Sequence, residues 1–217
     1  MRMAPQRVMF AAPAARVAAS LLVALAALGA CGQDTPGSAS GELVFRVRVA
    51  DLWIQSSPLA EGRSPDEEVE LRVAGELFEP PHEVTVGSRD QADQRSPIAA
   101  SGSAFSAFIA DDADWIVSNF ARQDREAIQS MLANQQMRTR NREVLARHES
   151  YKIFARAAYV ADAAYELLFI RYGDGSGFVE TYVNEDGRWK RTNALSSDEG
   201  FDLMWAAFRT DGVAVAR

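Results

Sequence analysis

Few side chains in this sequence are equipped for chemistry. The most reactive is one thiol, Cys31, set in the tetrapeptide Leu28-Gly29-Ala30-Cys31. A lone cysteine closes no disulfide within its own chain, so its sulfur is free, joined to another chain, or put to another use. Imidazole is almost as scarce. His82 follows Pro80-Pro81 in a loop and His148 ends a helical pattern, where it completes the helix dipole at the edge of the core. One thiol and two distant histidines are too few ligands for a zinc site. Asp174-Gly175-Ser176-Gly177 has the look of a calcium loop, but setting Gly177 at the sixth position puts Tyr172 first and Val183 twelfth, where carboxylates are required. It reads as a glycine-rich hairpin turn. The sequence holds no Gly-x-Ser-x-Gly elbow, Walker loop or dinucleotide fingerprint. No cofactor, no metal and no catalytic residue is assigned.

Proton transfer needs only a carboxylate or a phenol. Tyr159, Tyr165, Tyr182, Glu166, Glu180 and Asp162 lie on or beside a presumed sheet, where ordinary sheet tyrosines and solvated acids are the commoner outcome. Trp53, Trp115, Trp189 and Trp205 are by the same reasoning core residues before they are ligand platforms.

The surroundings of Cys31 say more than its thiol. Arg2, Arg7 and Arg16 precede it without any acid, and Val17 to Ala30 is apolar or small apart from Ser20 and Gly29. That run suits the apolar region of an export signal and is shorter than the roughly 20 residues of a spanning helix. With Leu28-Gly29-Ala30-Cys31 at its end, the stretch resembles the signal peptide and lipobox of bacterial lipoproteins. The resemblance covers residues 1–31. It implies that Cys31 is lipidated and becomes the mature N-terminus, and that several acyl chains hold the protein on a membrane. Gly32 and Gln33 follow with no Asp next to the Cys, which resembles the signal for an outer-membrane position facing the periplasm.

Charge narrows the partners. Setting aside the three arginines before Cys31 leaves 20 of 23 basic residues against 30 acids, a formal net charge of −10. Such a surface repels phosphate backbones, so nucleic acid is an improbable partner. The expected partners are the membrane, through the lipid anchor, and an envelope protein or a small apolar ligand.

The remaining elements follow from periodicity. Residues 31–41, the lipidated Cys and a Gly/Ser-rich stretch, read as a flexible tether. Leu43, Phe45, Val47 and Val49 alternate with Arg46 and Arg48, the pattern slips near Asp51 and resumes on Leu52 and Ile54; Val69, Leu71 and Val73 make a second strand. This β unit (42–90) includes a break at Pro80-Pro81 and a short strand at Val84 and Val86, followed by a polar connector. An α+β domain spans 96–212. Ser96-Pro97 opens a helix, Asp111-Asp112 stops it and caps the next, and Asp124 caps a third. Residues 151–160, 165–172, 178–183 and 188–194 read as strands, with 165–172 apolar on both faces and therefore central. Asp186-Gly187 signals a tight hairpin. Ser196 with Glu199 forms a capping box for a closing helix carrying Phe201, Met204, Trp205 and Phe208, ended by Gly212 before a frayed tail.

Helices followed by a curved antiparallel meander resemble the NTF2-like (SnoaL-like, cystatin-like) α+β cone. The residues that carry the likeness are Ala110-Asp111-Asp112-Ala113-Asp114-Trp115 through Phe120, and Phe178 to Val183 with Gly187-Arg188-Trp189-Lys190. The N-terminal hairpin and the closing helix depart from that plan. The resemblance implies a cone whose mouth is lined by Phe169, Tyr182 and Trp189. Such a fold hosts many activities, so three expectations stand. The first is a non-enzymatic binding or assembly domain. The second is a dehydratase, isomerase or hydrolase acting on a small apolar molecule. The third is an immunity or inhibitor lipoprotein.

Overall fold

The computed structural model describes residues 39–52, 58–145 and 147–216; Cys31, the signal-like stretch and Trp53 lie outside them. The described residues belong to one compact unit. The first strand, β1 (Ala39–Arg48), takes in the last residues of the expected tether. It pairs antiparallel with β2 (Glu68–Thr85), placing Leu43, Phe45 and Val47 opposite Val73, Leu71 and Val69. The slip expected near Asp51 is a 3-10 turn at Val49–Asp51.

Pro80-Pro81 does not interrupt β2, contrary to the expected break, and Val84 belongs to the same long strand, which ends at Thr85 short of Val86. The reason is a change of register. Leu77 pairs with Ala155 and His82 with Ile153, so the two prolines fall in a bulge where no amide N–H is required.

The helices begin where their caps predict. The Ser96 hydroxyl accepts the Ala99 N–H at 3.2 Å, and Pro97 opens α1 (Pro97–Ile109). Asp111 turns the chain with φ 54°, and the Asp112 carboxylate accepts the Trp115 N–H at 3.0 Å to start α2 (Ala113–Ser118). Asp124 is different. It precedes α3 (Arg125–Ala133) without a side-chain cap bond, because its carboxylate instead accepts the Thr192 hydroxyl at 2.6 Å. A fourth helix, α4 (Gln135–Leu145), completes the layer.

The second half is a meander of β3 (Ser150–Val160), β4 (Ala164–Tyr172), β5 (Gly177–Glu185) and β6 (Arg188–Thr192). Asp186 and Gly187, at φ 54° and 77°, make the tight turn between the last two. The closing helix α5 (Glu199–Arg209) is capped by Asp198, whose carboxylate accepts the Phe201 N–H at 2.8 Å, rather than by Ser196. The tail is not frayed: β7 (Val213–Val215) pairs with β1. The seven strands among the described residues form one antiparallel sheet in the order β6-β5-β4-β3-β2-β1-β7, so the N-terminal hairpin and the meander share it. The fold is α+β, with a C-terminal helix.

β4 is central, as its composition demands. Leu167 and Phe169 face one way, into a core with Phe45, Leu203, Met204 and Phe208; α5 covers this face. Leu168 and Ile170 face the other way, into a core with Phe105, Ile153 and Tyr182 beneath the α1–α4 layer. All four β4 residues are fully buried. On β3 the extra residue Phe154 sits between Ile153, paired with Ile170, and Ala155, paired with Phe169. That bulge sends residues of the same parity to opposite faces, so Tyr151 and Ile153 meet the helices while Ala155 and Ala157 meet α5.

Candidate functional site

The period of two along β5 aims Phe178, Glu180 and Tyr182 at the α1–α4 layer. The tight turn at Asp186-Gly187 then sets Arg191 of β6 directly opposite Tyr182. Tyr151 and Tyr172 are a registered pair on β3 and β4, and Ser101 descends from α1. These elements bring one buried polar cluster together. Glu180 is 5% exposed. Its Oε2 accepts the Ser101 hydroxyl at 2.5 Å and the Tyr182 hydroxyl at 2.7 Å, while Oε1 meets Arg191 Nη1 at 2.7 Å. Because Ser101 has a single proton and gives it to Glu180, Tyr151 must be the donor in its 2.5 Å bond with Ser101. The guanidinium of Arg191 also lies over the rings of Phe120 and Phe178, 5.7 and 6.0 Å from their centroids.

Electrostatics agrees with this geometry. Burial, then the Glu180 charge, pushes the Tyr151 and Tyr182 phenols well above their ordinary range. Tyr172 is raised for the same two reasons. Burial is the largest single influence on Arg191 and works against its charge, but Glu180 together with Tyr182, Tyr172 and Tyr151 outweighs it, and the guanidinium is held above its ordinary range.

Glu180 and Arg191 stand at the base of a cavity of about 570 Å³. Its walls are apolar: Phe105, Phe108, Phe120, Ile128, Met131 and Phe178. Its mouth is formed by α4, whose Met137, Arg140 and Val144 are exposed to solvent and line the cavity as well. Tyr172, half-buried, lines the cavity too and stacks on His148, with ring centroids 4.1 Å apart. A quarter of the Arg191 side chain stays accessible, which makes it the reachable half of the ion pair.

The residues expected at a cone mouth lie elsewhere. Phe169 is on the opposite face, against Phe45 and Phe208. Tyr182 is fully buried behind Glu180, outside the cavity lining, and Trp189 packs half-buried at the edge of the same core. Of the six proton-transfer candidates, only Glu180 lines the cavity. Tyr159 and Tyr165 belong to the α5 side, donating to Asp198 and Asp162 at 2.7 Å each, and burial pushes the Glu166 carboxyl up. Arg191 was within reach of sequence reasoning: a two-residue turn pairs Glu185 with Arg188, and counting back pairs Tyr182 with Arg191. Ser101, Tyr151 and Tyr172 carried no such signal.

Among the described residues no three His, Cys, Asp or Glu side chains converge as a metal site would, and no helix is long and apolar enough to cross a membrane. Comparison with known proteins finds no family model, no curated protein and no solved structure that matches the chain.

Proposed function

We propose that this chain is an envelope lipoprotein, anchored through Cys31, whose folded part is a non-enzymatic binding domain for a small, largely apolar molecule. The cavity carries the reading. Its volume of about 570 Å³ falls within the roughly 300–1,000 Å³ of small-molecule sites, and apolar walls around a few convergent polar groups are their usual make-up. The lipobox-like Leu28-Gly29-Ala30-Cys31 supports the anchor, and the run of helices into a meander supports an NTF2-like plan.

One observation favours an enzyme on the same fold: a carboxylate buried at the base of the cavity. Its geometry speaks for a supporting role. Three of about four lone-pair sites on the Glu180 carboxylate already accept donors, from Ser101, Tyr182 and Arg191, and the side chain is 5% exposed, so little of it is open to a substrate proton. Glu180 holds Arg191 in place.

Two measurements test the proposal. Cys31→Ser should move the protein out of the membrane pellet; unchanged pelleting contradicts the anchor. Native mass spectrometry of the full chain should show a small bound molecule that Val144→Trp, which places a bulky ring at the cavity mouth, displaces. An empty cavity in both proteins argues against ligand binding.

A further inference from the structure

We infer that the molecule held in this cavity is an anionic amphiphile, with its acid group at Arg140 in the mouth and its apolar body inside. The inference rests on the cavity being a binding site.

Three arginines lie close together on α4, and the helix sorts them. Arg138 Nε donates to Asp111 Oδ1 at 2.7 Å and its Nη2 to the Asp111 carbonyl at 2.9 Å; Arg142 comes within 3.9 Å of the same carboxylate. Residues four apart share one helix face, so this pair fastens that face of α4 to the α1–α2 corner. Two residues away from either, Arg140 is turned roughly 160–200° round the helix and lines the cavity with Met137, Asn141 and Val144. It has no ion pair among the described residues.

Among the described residues, the charges lining the cavity are Arg140, Arg191 and Glu180. Glu180 and Arg191 neutralise one another at 2.7 Å, which leaves Arg140 as the excess charge. A cationic cavity runs against the balance of the whole chain, where 30 acids outnumber 23 basic residues. The apolar side of α4 supplies the other half of the argument. The helix buries no residue of its own, and Met137 and Val144 are 47% and 45% exposed where they line the cavity. A ligand with an apolar body would cover them, and an acid at its end would meet the guanidinium in a charge-assisted hydrogen bond. A fatty carboxylate, a sulfonate or a phosphate monoester each has this form.

The test uses two probes with the same aromatic skeleton, anilinonaphthalene sulfonate and uncharged phenylnaphthylamine. Each is titrated by fluorescence against the full chain in phosphatidylcholine nanodiscs. Val144→Trp in the same nanodiscs reports the probe taken up by lipid. The sulfonate should bind about tenfold more tightly than the neutral probe, the effect of one charge-assisted contact. Arg140→Gln should erase that preference without weakening the neutral probe, and Arg140→Lys should keep much of it. Circular dichroism checks that the variants fold; Arg140 is exposed, so they should. If the neutral probe binds equally well, or the preference survives in Arg140→Gln, the anionic ligand is excluded and the binding site stands. If neither probe exceeds the Val144→Trp background, the binding site falls, and the inference with it.

Discussion

At the scale of single residues, the cavity base depends on a carboxylate with three donors and a guanidinium with one acid. Removing one partner of a buried pair leaves the other uncompensated and costs about 3 kcal/mol. Glu180→Leu should therefore destabilise the fold by that order in urea unfolding, since Arg191, Ser101 and Tyr182 all lose their acceptor. Adding Arg191→Met should cost much less than Arg191→Met alone, with a coupling of at least about 1 kcal/mol. Additive effects would show that the pair is screened and that Arg191 is held by its stacking on Phe120 and Phe178. The carboxylate at the centre of this cluster was legible as a sheet acid beside a tyrosine. Its face was not, because parity along β5 acquires a direction only when the helices choose a side. The β3 bulge at Phe154 adds to the difficulty: it sends Tyr151 to the cavity and Ala155 away from it, although both are odd-numbered and no side chain near them announces the switch.

Whole elements were more readable where a local signal marked their ends. Ser96-Pro97, Asp112 and Asp186-Gly187 start or turn elements through their own side chains or backbone, and they do so in the structure. β7 was missed because a three-residue strand has no period. It exists only because the edge of β1 accepts it, with Leu43 opposite Val215 and Phe45 opposite Val213. Its position is set by Gly212, whose carbonyl accepts the Arg46 N–H at 2.8 Å and whose own N–H donates to the Ala207 carbonyl at 2.8 Å. A Cβ at Gly212 would lie 2.0 Å from the Arg46 carbonyl oxygen, and that backbone is fixed within the sheet. Gly212→Ala should therefore cost at least the roughly 1–3 kcal/mol of overpacking and lower the urea midpoint. Gly173→Ala is the control. Among the described residues nothing lies within 4 Å of a Cβ added there, and a change of no more than about 0.5 kcal/mol is expected. Equal effects at the two glycines would mean that β7 contributes nothing to the sheet.

For the whole molecule, the five tyrosines give a readout that spans both cores. Tyr151 and Tyr159 are on β3, Tyr165 and Tyr172 on β4, and Tyr182 on β5; Tyr151 and Tyr182 belong to the helix-side core, while Tyr159 and Tyr165 adjoin the α5 core. Burial, before any neighbouring charge, raises every one of the five phenols above its ordinary value of 10, and Tyr165 to about 12. The unfolded chain gives up these protons near pH 10, while the folded chain keeps them. Over that interval the native state binds more protons, so stability must fall as pH rises. The contribution is complete below pH 10 and is lost as the pH climbs toward and past about 12. Tyrosinate absorbance followed alongside far-ultraviolet circular dichroism should show little ionisation until the sheet melts, and then all five phenols titrating together. A sheet that spans two cores through one doubly buried strand cannot lose one face and keep the other, which is why a single transition is expected. Separate ionisation of the helix-side and α5-side tyrosines, with secondary structure intact between the steps, would show that the two faces unfold independently and that β4 does not couple them.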